Sequence, residues 1–352
     1  MISFNLKGGY YMEINNKIAI YVLVYIILPI ILILSCKKQD KKDILSKDTT
    51  DAIKGFLVIY VAIHHYVQKI SNPELLNPLN YVGFLCVSFF FLMSGYGLTL
   101  SYYKHGNLKG FFKKRFLRLY FPFVVANILI GLLDNITIKS GYSIKDILIT
   151  SFTLRTIDGS VMLWYIFVQI LMYIFFYIAF TILRNKNSKI LCIILSTLAY
   201  MFVAKHLGQG EWRYNTCLCF SVGVIIATYK DKLKDIFEKY SIGIIGILLT
   251  VFLVSWYLII KGIYSYCITF ICAVIFALLL VAITYKVNFK SKIYNYIGKI
   301  SYEFYIIQLP VIEMIINVIG NNVLGIYLIL LSTVVISIIT NKIANYINSK
   351  ID

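Results

Sequence analysis

From Ile18 to Thr340 the chain is a series of apolar runs separated by short polar segments, and most of the runs are long enough to cross a lipid bilayer. Nothing constrains the fold more. In hydrocarbon every backbone N–H and C=O must find its partner within the protein, so such runs fold as helices. They fall at Ile18–Ser35, Lys54–Gln68, Tyr81–Tyr103, Tyr120–Leu133, Met162–Leu183, Ile190–Ala204, Thr216–Tyr229, Ile242–Ile260, Tyr266–Tyr285, Ser301–Ile319 and Val323–Thr340. With 60% hydrophobic residues and a mean hydropathy of +0.80, the expected class is an all-α polytopic membrane protein with about 11 transmembrane helices. The gaps between runs are too short to hold a soluble domain.

The net charge of +18 would suggest nucleic acid as a partner for a soluble chain. Here its distribution points to topology. If the Lys37–Lys47 segment is cytoplasmic, alternating the sides puts 25 of the 34 basic residues there and 9 on the other side. This predicts a multi-pass protein of the cytoplasmic membrane, N-terminus outside and C-terminus cytoplasmic, with the lipid bilayer rather than nucleic acid as its surroundings. The seven cysteines are scattered and show no paired CxxC spacing, so neither a metal site nor a disulfide framework is expected.

One run carries ionisable residues inside it: KGFLVIYVAIHH, Lys54 to His65. Such residues are costly in a membrane and mark function. Lys54 and His65 share a helix face about three turns, or roughly 16 Å, apart. With Lys54 at the cytoplasmic end, His65 lies near or beyond the bilayer's middle, and His64 beside it is its rival for any chemistry. The most basic segment, FFKKRFLRLYFP, offers Lys113, Lys114, Arg115 and Arg118. Arg115 and Arg118 face together on a helix and suit phosphate. Pro122 is expected to break or start a helix there. A polar stretch at about 138–160, carrying Arg155 and Asp158, separates two runs.

These stretches together resemble the acyltransferase-3 family of integral membrane acyltransferases. KGFLVIYVAIHH matches a basic residue, ten residues, then histidine. GFLCVSFFFLMSGYGL, FFKKRFLRLYFPF, LWYI at 163–166, FSVG at 220–223 and IGKISYEFYIIQLP at 297–310 follow in the family's order. The resemblance covers about residues 50–340. It implies a ten-helix acyltransferase core over 51–345, preceded by a segment (1–50) with one extra helix and a basic linker. It further implies transfer of an acetyl group from cytoplasmic acetyl-CoA to a hydroxyl of a surface polysaccharide or glycolipid. His65, with His64 as alternative, is then the catalytic residue, and Lys54, Lys114, Arg115 and Arg118 serve the donor. Lys54 stands where the family usually has arginine. Gln169 replaces a glutamate of some members, and Gln308 a common histidine. Two other classes compete: a transporter or flippase, which also uses ionisable residues at mid-membrane, and a glycan polymerase, disfavoured by short external loops.

Overall fold

The structure is a computed structural model that describes residues 17–38, 45–70, 72–156, 164–263, 265–320 and 325–351. Asp158, Leu163 and the expected run starts at Met162 and Val323 lie outside the described residues. The chain is an all-α polytopic membrane protein. Its helices are α1 (Lys17–Leu34), α2 (Lys47–Val67), α3 (Gly83–His105), α4 (Phe111–Thr137), α5 (Ile144–Phe152), α6 (Trp164–Ile182) and α7 (Lys186–His206). They continue with α8 (Leu218–Thr228), α9 (Lys230–Ile260), α10 (Tyr266–Thr284), α11 (Lys292–Lys299), α12 (Ser301–Ile319) and α13 (Gly325–Ile351). A short 3-10 helix, Glu74–Tyr81, leads into α3. Among the described residues 9 helices are long and apolar enough to cross a membrane. The two other expected runs are helices as well: α2, which carries charges, and α8, which has only 11 residues.

Two apolar clusters meet along α3. Cys86 and Phe89 pack into one, with α1, α2, α12 and α13. Val87, Phe91 and Leu92 pack into the other, with α6, α7, α8 and α10. Small residues let the backbones close up, as helix packing in lipid requires. Gly95 of α3 lies against the Phe220 carbonyl, and Gly223 of α8 against the Leu92 carbonyl; a Cβ at either would overlap the facing backbone. The same device seats the short α11 on α2. Gly55 lies against the Tyr294 carbonyl and Gly298 against that of Asp51.

Helix α1 is tied to this frame by tyrosines. It widens into a π turn at Leu23–Ile27, and carbonyls at and after that turn accept hydrogen bonds from outside: Val24 from the Tyr60 hydroxyl (2.5 Å) and Leu28 from the Tyr294 hydroxyl (2.6 Å). Beyond α1, strand β1 (Cys36–Lys38) pairs antiparallel with β2 (Val287–Phe289), just before α11.

Three polar segments are more helical than expected. The basic segment is the first part of α4, which begins at Phe111 and runs through Pro122 without a break. Pro122 lacks the N–H that the Arg118 carbonyl would otherwise accept from; beside that gap the Tyr302 hydroxyl donates to the Leu119 carbonyl at 2.8 Å. The 138–160 stretch contains α5, whose first turn is capped by Ser143 accepting from the Asp146 N–H. The KDKLKDIFEKY segment belongs to α9, not to a loop.

Candidate active site

Helix α2 positions the central pair. Ser46 caps its N-terminus and the apolar residues Leu57, Val58, Val61 and Ala62 bury it among its neighbours. Lys54, two turns from the start, is held by Asp51: Nζ to Oδ1 is 2.6 Å, and the Asp51 carboxylate is almost wholly buried. A basic residue at this depth therefore has a fixed partner, and its exposed side faces a cavity of about 350 Å³.

That cavity brings together three of the expected donor residues, Lys54, Arg115 and Arg118, with Gln169, Tyr173 and Tyr302. Among the described residues no carboxylate lines it. Arg115 lies 5.7 Å from the ring centroids of both Phe111 and Tyr173, so its guanidinium is oriented by cation–π contact. Two buried donors have no hydrogen-bond partner: Arg115 Nε and Gln169 Nε2. The Gln169 Oε1 is occupied, accepting from the Tyr165 hydroxyl at 3.2 Å. Unmet donors around a basic cavity suit a ligand rich in acceptor oxygens. Lys114, the fourth expected residue, does not line this cavity. It is exposed and turns to a neighbouring one.

His64 and His65 line a separate and larger cavity of about 780 Å³. The two imidazoles lie side by side with ring centroids 4.9 Å apart. His64 is committed on both edges. Its Nδ1 lies 2.9 Å from the Leu79 carbonyl, which can only accept, so Nδ1 carries a proton. Its Nε2 edge lies against Gly83, where a Cβ would come within 2.5 Å of the ring. The glycine that opens α3 is thus required by the histidine of α2. His65 lines the cavity together with Gln68, one turn on. Around them stand Asp134, Trp164, Trp212, Glu313 and Asn317. Glu313 also pairs with Lys69 at 2.7 Å on the rim.

Among the described residues the two cavities have one lining residue in common, Tyr305. It is buried, and its ring meets that of Tyr165 edge-on at 5.3 Å, with Phe90 and Phe91 packed on Tyr165 from behind. Basic groups lie on one side of this aromatic wall and imidazoles on the other.

Sequence reasoning missed Asp51 and Tyr305. Asp51 stands three residues before Lys54, the ion-pair spacing of a helix, and could have been found by it. Tyr305 is one of 29 tyrosines and carries no signal of its own. Gln308 lines neither cavity; it is fully buried on α12. Among the described residues no group of three or more His, Cys, Asp or Glu is placed to hold a metal ion.

A family model described as an acyltransferase domain, that of the acyltransferase-3 family, matches residues 49–342. Comparison with curated proteins and with solved structures finds no match to this chain.

Proposed function

This chain belongs to the acyltransferase-3 family and is a membrane-embedded acyltransferase, and from that premise we propose that it moves an acetyl group from cytoplasmic acetyl-CoA to a hydroxyl of a surface polysaccharide or lipid-linked sugar. The observation that carries the proposal is the pair of cavities divided by Tyr305. The cavity of Lys54, Arg115 and Arg118 is the donor side, and the cavity of His64 and His65 the acceptor side.

The dimensions support this reading. The arm of CoA between its pyrophosphate and its sulfur is a chain of about a dozen bonds with two amides, roughly 15 Å when extended. The axial rise from Lys54 to His65 is roughly 16 Å. With the pyrophosphate among Lys54, Arg115 and Arg118, the thioester reaches the aromatic wall below His65. Arg115 Nε and Gln169 Nε2 supply donors to the phosphate and amide oxygens that pass them.

His65 acts on the acceptor. A neutral imidazole takes the proton of the sugar hydroxyl as its oxygen attacks the thioester carbonyl, and the CoA thiolate leaves toward the basic cavity. His64 does not do this work, because its ring is wedged between Leu79 and Gly83. It fixes the turn of helix from which His65 projects. Asp134, Glu313 and Asn317 offer acceptors and donors to sugar hydroxyls, and Trp164 and Trp212 offer flat apolar faces.

The test is transfer of label from radiolabelled acetyl-CoA in membranes holding the wild type or His65→Ala. Label in the glycan or lipid-linked sugar fraction that vanishes in His65→Ala is expected. Transfer that survives in His65→Ala but not in His64→Ala would exchange the roles of the two histidines. No consumption of acetyl-CoA with the native acceptor present would overturn the proposal and return the transporter reading.

A further inference from the structure

A third cavity, of about 470 Å³, lies where α3 ends and α4 begins. It shares Leu98 and Arg115 with the donor-side cavity, so the two adjoin at Arg115. Tyr102, His105, Lys109 and Lys114 line it, and among the described residues no carboxylate does. The loop between the helices is shaped by Gly106 (φ 70°) and Gly110 (φ 68°), conformations open to glycine. Asn107 locks it, its amide donating to the His105 carbonyl and accepting from the Lys109 N–H, both at 3.0 Å.

A second observation lies behind the wall. Lys189 of α7 is 6% exposed. Its Nζ donates to the Tyr102 hydroxyl at 3.0 Å and lies 4.4 Å and 4.9 Å from the ring centroids of Tyr102 and Phe180. Among the described residues it has no carboxylate partner. A buried cation without a counter-ion is costly, and an anion bound nearby relieves the cost. The Tyr102 oxygen accepts from Lys189, so its own proton is left to donate, and the ammonium makes it a stronger donor.

We propose that this cavity binds a phosphate monoester, the 3′-phosphate of the donor's nucleotide, with Tyr102 donating to it, Lys189 charging Tyr102 from behind, and Lys109 and Lys114 closing over it. The identity of the nucleotide rests on the acyl-CoA reading. If the arm places the pyrophosphate beside Arg115, the rest of the nucleotide must lie beyond Arg115, where this cavity begins. The same chemistry could come from the phosphate headgroup of an anionic lipid, and the test separates the two.

The full chain in neutral detergent is titrated calorimetrically with adenosine 3′,5′-bisphosphate and with adenosine 5′-monophosphate. One charge-assisted hydrogen bond corresponds to about tenfold in affinity, so the bisphosphate should bind at least about tenfold more tightly. Tyr102→Phe should erase most of that preference and leave the monophosphate unchanged. Lys109→Gln, on the exposed side of the loop, should weaken the bisphosphate alone and guards against a folding defect in the first variant. Equal affinity for the two nucleotides would overturn the proposal. So would Tyr102-dependent binding of phosphatidic acid together with equal nucleotide affinities, which would make the cavity a lipid anchor. Acetyl-CoA and acetyl-dephospho-CoA are then compared as donors. If neither donates but the Tyr102-dependent preference persists, the phosphate site stands and acyl transfer falls. If both donate with the same KM and the nucleotides bind equally, acyl transfer stands and this site falls.

Discussion

The cavities on either side of Tyr305 differ in chemistry more than in size. The Lys54 side gathers cations and unmet donors, with the Asp51 carboxylate spent on Lys54. The histidine side gathers imidazoles, carboxylates, two amides and two tryptophans, with its one lysine, Lys69, paired to Glu313. A cavity short of acceptors suits a polyanion, and one with mixed donors, acceptors and flat apolar faces suits a neutral polyhydroxyl compound. The difference teaches that the two substrates can enter by separate cavities, and for the hydroxyl to attack the thioester carbonyl the two must come into contact beside Tyr305, which lines both.

The strongest way to break this comparison is at His65. His65→Ala should lower transfer by about 10²–10⁴-fold, the range for loss of a general base, with donor KM nearly unchanged because the donor groups lie across the wall. Radiolabel transfer at varied acetyl-CoA checks it, and a large rise in donor KM would contradict the separation. Next comes the donor side. Lys54→Ala strands the buried Asp51 carboxylate, an effect of about 3–5 kcal/mol when a buried pair loses one partner. Thermal unfolding in detergent should show this loss, and the double variant Lys54→Ala with Asp51→Ala should recover most of it while donor KM stays high. Gly83→Ala should cost about 1–3 kcal/mol as the new Cβ displaces the His64 ring. Activity should fall with stability unless a smaller residue at 64 makes room, so Gly83→Ala paired with His64→Ala should be more stable than Gly83→Ala alone.

Smaller effects sharpen the boundary itself. Tyr305→Ala should join the cavities and let water reach the thioester, seen as acetyl-CoA hydrolysis without acceptor, while Tyr305→Phe keeps the ring and should not leak. Trp212→Ala should raise acceptor KM several-fold and leave donor KM alone. Its ring lies over Gly210, where a Cβ would overlap it, so Gly210→Ala should mimic the change more weakly.

Much of this was legible in the sequence, for reasons that can be stated. The eleven runs could be read because hydrocarbon forces long apolar stretches into helices, and each has a helix at its place. The placement of Lys54 and His65 three turns apart follows from helical rise alone, and Arg115 with Arg118 on one face from their spacing. The rest needs tertiary contact. Pro122 reads as the break or start of a helix because it removes one backbone donor, and nothing near it in sequence reveals that Tyr302 packs there and donates to the Leu119 carbonyl. Lys114 and Arg115 line the third cavity together, while Arg115 also reaches the donor-side one, because neighbouring residues on a helix diverge. The commitment of His64 depends on Leu79 and Gly83, which reach it only when α3 folds back along α2. Helix α5 could have been read, since Ser143 and Asp146 form the usual opening of a helix.

The central claim is that donor and acceptor approach from opposite faces of the membrane. Sealed vesicles of the two orientations, inside-out and right-side-out, carry the native acceptor and receive radiolabelled acetyl-CoA, which does not cross the bilayer, on the outside only. The account predicts label in the glycan fraction of inside-out vesicles, where the Lys54 face meets the donor, and none in right-side-out vesicles until they are permeabilised. Label entering intact right-side-out vesicles as fast as inside-out ones would contradict it, since the donor would then be reaching the histidine side directly.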